Sequence, residues 1–255
     1  MVRHEWLYGR NAVYEALVAQ RRAVYRLLIS QTAQHKGRLA EILHLSQQRK
    51  IPIEKVSKTA LASIHPSHQG VALQVGSYPY VDLEELLIYA AEQASPPFLL
   101  ILDVLQDPQN VGSLLRTAEG VGIHGVLLPY RESVEITPAV VNASAGASEH
   151  LRIARANLSQ AIENLKQQNI WVIGLEDTPE AQPLEKLKIS AALALVVGGE
   201  GSGMRPLVRR SCDLLVRLPM KGKIHSYNAA VAGSIAIFYA ALARGEFTSL
   251  ENKAT

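Results

Sequence analysis

Residues 98–122 read FLLILDVLQDPQNVGSLLRTAEGVG, and this stretch holds strand, turn and helix in succession. Phe98–Leu102 is an unbroken apolar run of strand length. A polar turn follows around Asp103, Asp107 and Pro108. Leu114, Leu115 and Ala118 then return at helical spacing, which predicts a helix over Val111–Gly122. The same alternation continues downstream. Strands are expected at Gly125–Leu128, Leu151–Ile153, Ile170–Leu175, Leu193–Val197 and Leu214–Leu218. Further helices are expected at Leu158–Gln168, Pro206–Ser211 and Ser226–Ala243. The expected fold class is α/β, with a doubly wound parallel sheet in this half. Such sheets bind ligands at the carboxyl ends of their strands.

Upstream, a shorter alternation gives helices at Asn11–Gln20, Lys36–Lys50 and Thr59–Ile64. Strands fall at Val24–Ile29, Ile51–Val56 and Val71–Val75, so a small α/β domain is expected at 1–77. Residues 78–97 carry Pro79, Pro96 and Pro97 around an acidic helical stretch, Asp82–Gln93, and read as a linker. The second domain then runs over 98–247, with a tail at 248–255. The chain of 255 residues has a formal net charge of +3, unevenly spread. Residues 1–77 hold 11 Lys/Arg against 4 Asp/Glu, together with five of the 8 histidines; the remainder holds 15 against 19. A basic module joined to a mildly acidic one points to a polyanionic partner for the first. No apolar run approaches the roughly 20 residues that cross a bilayer. The first residues carry Arg3, His4 and Glu5 and no apolar segment, so they do not read as a secretory signal. The single cysteine, Cys212, excludes an intramolecular disulfide framework and reads as a packing residue; the cytoplasm is the expected compartment.

Three strand ends carry clusters that could do chemistry. In the first, Asp107 or Asn110 could cap the following helix, but Arg116 needs an anionic partner in so apolar a setting. A phosphate and an i, i+3 pairing with Glu119 both satisfy it. The second is Gly198, Gly199, Glu200, Gly201, Ser202 and Gly203, where glycines allow positive φ and close approach to a ligand. It lacks the Gly-Lys-Ser/Thr ending of a phosphate-binding loop, and it follows a late strand, unlike a dinucleotide fingerprint. The third runs from Leu218 through Pro219, Met220, Gly222, His225, Ser226 and Tyr227 to Asn228. Ser226 could cap the last helix, while Asn228, placed two residues inside it, has no propensity reason to be there. A nucleophile and base made of Ser226 and His225 is disfavoured, because sequence neighbours at a helix start seldom meet productively. There is no metal-ligand spacing and no Gly-x-Ser-x-Gly elbow.

Taken in order, these clusters resemble the signature of the SpoU-type 2′-O-methyltransferases of the SPOUT superfamily. Asp103, Asp107, Pro108, Asn110, Gly112, Arg116, Thr117 and Ala118 match its first motif. Gly198, Glu200, Gly201 and Gly203 match the second, and Pro219, Met220, Gly222, Ser226 and Asn228 the third. Residues 1–77, ending His68-Gln69-Gly70-Val71, resemble the L30e-like substrate-binding domain of the ribosomal-RNA guanosine methylases of that family. The resemblance implies a C-terminal domain with a deep trefoil knot and a homodimer that shares its active site. It implies S-adenosylmethionine as cofactor, against Gly198, Gly199, Gly203, Leu218, Met220 and Tyr227. It further implies Asn110, Arg116, Glu200, Ser226 and Asn228 as catalytic residues, and a ribose 2′-hydroxyl of RNA, 23S ribosomal RNA in the nearest subgroup, as acceptor. DNA and membranes are not expected as partners. A tRNA methylase, or a non-catalytic RNA binder that keeps the fold, are the alternative readings. Three positions depart from the family pattern: Tyr227 stands for leucine, Ala229 for valine and Ala230 for serine.

Overall fold

The protein was analysed as a computed structural model, which describes residues 4–187, 189, 191–201, 203–223 and 226–247. The expected tail at 248–255 lies outside them, as do Ser202 and His225. The chain forms two compact units: residues up to 79 together with 135–150, and residues 80–134 together with 151 onward.

The first unit contains β1 (Glu5–Tyr8), α1 (Arg10–Ala19), β2 (Val24–Ser30), α2 (Arg38–Gln48), β3 (Ile53–Val56), α3 (Lys58–Ala62) and β4 (Val71–Val75). Its sheet runs β1-β4-β2-β3, with β4 antiparallel to both neighbours and β2 parallel to β3. The four-residue strand β1, not expected from the sequence, completes the sheet by burying Leu7 and Tyr8. Leu27, Leu73 and Ile29 on the sheet, with Val13, Leu17, Leu39 and Ile42 on the helices, supply the buried core.

Residues 135–150 lie between two strands of the second unit in sequence, yet they pack with the first. Asn142 Nδ2 donates to the Tyr8 carbonyl at 3.1 Å. Arg22 donates to both carboxylate oxygens of Glu149, through Nε at 2.9 Å and Nη2 at 2.8 Å. Their side chains are 0% and 1% exposed. The Arg22 guanidinium also sits 4.9 Å from the centre of the Tyr78 ring. A pattern that spans a sequence gap of more than a hundred residues leaves no local periodicity, so the sequence places this segment in the wrong body.

The second unit continues with α4 (Leu83–Ala91), β5 (Phe98–Leu102), α5 (Pro108–Gly120), β6 (Gly125–Pro129), β7 (Ile153–Ala156) and α7 (Leu158–Gln167). It ends with β8 (Trp171–Leu175), β9 (Gln182–Pro183), β10 (Leu193–Val197), α8 (Pro206–Ser211), β11 (Leu214–Arg217) and α9 (Ala229–Ala243); α6 (Pro138–Ala143) belongs to the first unit. Among the described residues the sheet has seven strands, all parallel, in the order β7-β6-β5-β10-β8-β11-β9. Every residue of β5 is 0% exposed, as a parallel strand covered on both faces requires. The expected α/β class with a parallel sheet is the one found.

The expected linker is not one. Asp82 caps α4 by accepting from Glu85 N at 2.8 Å, and Leu86, Leu87 and Ala90 join the core of the second unit. The packing is tight enough that a Cβ on Gly125 of β6 would lie 2.6 Å from Leu86 Cγ. The helix expected within this stretch is found, but its face of Leu83, Leu86, Leu87 and Ala90 packs into the core of the second unit instead of spanning a seam.

Breaking the Arg22–Glu149 pair from one side leaves a buried charge without a partner. Glu149→Ala should therefore lower the stability of the first unit by about 3–5 kcal/mol. Urea unfolding followed at Trp6, in a Trp171→Phe background, measures it; a loss below about 1 kcal/mol would show the pair to be solvated.

Candidate active site

The adjacent strands β5 and β10 end level, Leu102 opposite Val197, and the chain after each turns toward the other. Asp103 N donates to the Val197 carbonyl at 2.9 Å. The Asp103 side chain is 0% exposed and accepts from Arg205 N and Arg205 Nε, each at 2.8 Å. That buried carboxylate anchors the far end of the glycine loop. Arg205 carried no signal in the sequence, because its partner lies 102 residues away.

The loop closes on itself. Gly199 and Gly203 exchange N–H···O bonds of 3.1 Å in both directions, and Gly201 and Gly203 have φ of +76° and +64°. A Cβ on Gly199 would lie 2.5 Å from the Val104 carbonyl oxygen. Val104 itself holds φ +58°, a strained value for a β-branched residue, so the two loops are pressed together at a backbone cost.

Glu200 is carried on this loop. Its Oε1 accepts from Asn110 Nδ2 at 3.0 Å and from Asn228 Nδ2. Asn228 Nδ2 also donates to Asn110 Oδ1 at 3.1 Å. The amide orientation of Asn228 is settled by its other end: Oδ1 accepts from Ala230 N at 3.0 Å and Val231 N at 3.1 Å, capping α9. Two expectations are corrected here. Helix α9 starts at Ala229, so Asn228 is its cap and not an interior residue, and Ser226 lies before it. Helix α5 starts at Pro108 with Asp107 as its cap, so Asn110 stands in the first turn, its side chain free to meet Glu200.

A cavity of 510 Å³ opens beside this cluster. Gly198, Gly199, Gly203, Leu218, Met220, Ser226, Tyr227 and Asn228 line it, as does Glu200. Tyr227 bends back, its hydroxyl donating to the Pro219 carbonyl at 3.3 Å, and is 42% exposed. Sequence reasoning missed a fourth strand end: Glu176, Asp177 and Thr178, directly after β8, form another wall. The signal available was their position, acidic residues at the carboxyl end of a parallel strand.

Arg116 stands apart. It is exposed on α5, is not among the cavity residues, and forms no ion pair with Glu119. Of the two partners open to it, the intrahelical one is not taken. Cys212 is a packing residue: burial pushes its thiol up to about 12, and Sγ donates to the Val208 carbonyl at 3.4 Å.

A parallel α/β domain with a glycine loop, an acid held by two asparagines and a cavity at the strand ends is the candidate site. A family model described as SpoU rRNA methylase matches residues 97–238, and one for the RNA 2′-O ribose methyltransferase substrate-binding domain matches residues 6–81. The chain belongs to the SpoU methylase family. It is 40% identical over 237 residues to Bacillus subtilis YacO, assigned to the TrmH family of tRNA/rRNA methyltransferases, covering 92% of this chain and 94% of that one. A Staphylococcus saprophyticus protein assigned to the same family is 38% identical over 234 residues, covering 91% and 93%. Among solved structures, the SpoU methyltransferase AviRb of Streptomyces viridochromogenes superposes with a TM-score of 0.78 at 20% identity, covering 94% of this chain and 90% of that one. An AdoMet-bound rRNA methyltransferase of Sinorhizobium meliloti superposes at 0.74 with 22% identity, covering 93% and 87%.

The Asp103–Arg205 anchor yields a direct test. Asp103→Asn keeps the shape and removes the charge that Arg205 meets, and should cost about 2 kcal/mol of stability in the second unit. Urea unfolding followed at Trp171, with Trp6→Phe, checks it; no loss would mean that the anchor is not formed.

Proposed function

We propose that this protein methylates the 2′-hydroxyl of a guanosine ribose in 23S ribosomal RNA, in the cytoplasm, with S-adenosylmethionine as donor. The observation that carries the reading is the bonded set Asn110–Glu200–Asn228, which joins two strand ends and a helix start beside the 510 Å³ cavity. The residues around that cavity suit the cofactor. Leu175, Val197, Leu218 and Met220 offer apolar walls, Gly198 and Gly199 expose backbone, and Asp177 and Glu200 supply negative charge for a sulfonium and acceptors for hydroxyls, while Glu176 is paired with Arg209. When bound, the cofactor supplies a methyl group already activated by positive sulfur.

The remaining work is alignment and proton management. Glu200 holds the Asn110 and Asn228 amides in fixed orientation, and Asn110 keeps a second amide proton to offer the ribose or its phosphate. Ser226, before α9 and on the cavity wall, hydrogen-bonds near the reacting oxygen. Arg116 fixes the 5′ phosphate and stabilises the developing alkoxide. The cavity of its own chain does not include it, so in this reading Arg116 serves the site of a second subunit in a homodimer. A surface for that dimer is at hand: Val231, Ile235, Phe238 and Leu242, between 43% and 52% exposed, form a stripe along α9. The deep trefoil knot that the family resemblance implies for the C-terminal domain belongs to the same reading. The separate basic domain favours ribosomal RNA over tRNA as substrate.

Arg116→Ala should reduce turnover by a factor of about 10² or more at saturating RNA while leaving S-adenosylmethionine affinity unchanged. Near-normal turnover would remove Arg116 from the mechanism. Phe238→Glu should convert the dimer to monomers in light scattering and abolish activity; an active monomer would refute the shared site. Mapping ribose methylation in cells lacking the protein decides the substrate, and the disappearance of a mark in tRNA would replace the ribosomal reading.

A further inference from the structure

A second cavity, of 820 Å³, lies within the first unit. It is lined by the start of α1, the loop between β2 and α2, the start of α3 and the turn before β4, and opens to solvent. Arg10, Lys36 and Lys58 line it, with Gln34, His68 and Gln69, and no carboxylate does. Among the described residues none of the three cations forms an ion pair, although Arg22, Arg26 and Arg38 in the same unit all do. Three like charges around one space repel each other, and among the described residues no carboxylate lines it to balance them.

The walls are built rather than incidental. Gln69 and Gly70 take successive left-handed conformations, φ +52° and +84°, which turn the chain sharply in front of β4. Gln69 Oε1 accepts from Arg10 N at 3.0 Å and the Gln69 carbonyl from Arg10 Nε at 3.2 Å. The guanidinium is therefore held from one side, with its terminal nitrogens left for a ligand. His68 is 5% exposed, and its Nδ1 accepts from Gly70 N at 2.9 Å. Burial and the charge of Lys58 lower its pKa, so at neutral pH the ring is uncharged and carries its proton on Nε2.

We propose that this cavity takes one unstacked nucleotide of the RNA substrate. Arg10, Lys36 and Lys58 hold its phosphate, and Gln34, Gln69 and the His68 Nε2–H meet the edge of its base. This rests on the reading of the chain as an RNA methyltransferase and adds a recognition subsite to it. The volume falls in the range of pockets that enclose a single small ligand. The cavity opens to solvent, so a base splayed from a loop or bulge can reach the amide and imidazole groups on its wall, which the paired bases of a duplex do not present. Amide and imidazole groups beside the cations offer base-edge hydrogen bonds, which a purely electrostatic patch lacks.

The full-length enzyme carrying Lys36→Glu and Lys58→Glu together tests it. Both side chains are exposed, so the fold should persist, and unchanged urea unfolding followed at Trp6, in a Trp171→Phe background, checks that. The expected result is a KM for a 23S RNA transcript raised about tenfold or more, with kcat unchanged. The salt dependence of RNA binding should weaken by about one unit of log–log slope, because the one phosphate held there is no longer neutralised. Unchanged KM and slope in the variant, beside an active wild type, would overturn the subsite and leave the proposed function standing. A wild type that methylates no RNA would overturn the function itself. A short single-stranded oligoribonucleotide should compete with the transcript in the wild type and not in the variant. Competition by an RNA duplex of equal length, and not by the single strand, would overturn the unstacked-nucleotide assignment.

Discussion

Glu200 accepts from two amides that belong to different helices, Asn110 on α5 and Asn228 at the start of α9, and it can do so only because its loop is pinned at both ends. The Gly199–Gly203 bridge closes the loop, and Asp103 grips Arg205 just beyond it. A carboxylate at the mouth of α9 is also favourable to the helix, whose first amides carry partial positive charge. The same atoms thus cap a helix, fix two side-chain orientations and form one wall of the cavity. Strain at Val104, and the close approach that allows no Cβ on Gly199, are the cost of bringing β5 and β10 to one point.

That arrangement explains why the chemistry concentrates where it does. In a parallel sheet all strands end on the same side, so loops after β5, β8, β10 and β11 converge without long excursions. Helix α9 packs against α5 closely enough that a Cβ on Gly233 would lie 2.5 Å from Leu114 Cδ2, and Thr117 and Ser234 share a hydroxyl contact of 2.9 Å. The inward side of α9 is small and tight, and its outward side is large and apolar.

The first unit obeys a different logic. Its core is made by helices against a short mixed sheet, but a segment between β6 and β7 supplies part of it, fastened through Arg22 and Glu149. Charge in this unit is sorted: most arginines meet carboxylates or rings, while Arg10, Lys36 and Lys58 are left around a cavity.

The sequence by itself determined most of the elements. Apolar runs such as Phe98–Leu102 and Leu193–Val197 coincide with buried strands because burial on both faces leaves no room for polar residues. Order and spacing also marked Asn110, Glu200 and Asn228, since motif residues at strand ends are read in one dimension. Contacts made across long sequence gaps could not be read that way. The Arg205 anchor, the wall at Glu176–Thr178, the membership of α4 in the second unit and of residues 135–150 in the first all depend on partners far along the chain. So does the separation of Arg116 from the cavity. Periodicity reports which face of an element is buried, and only the tertiary structure decides against what.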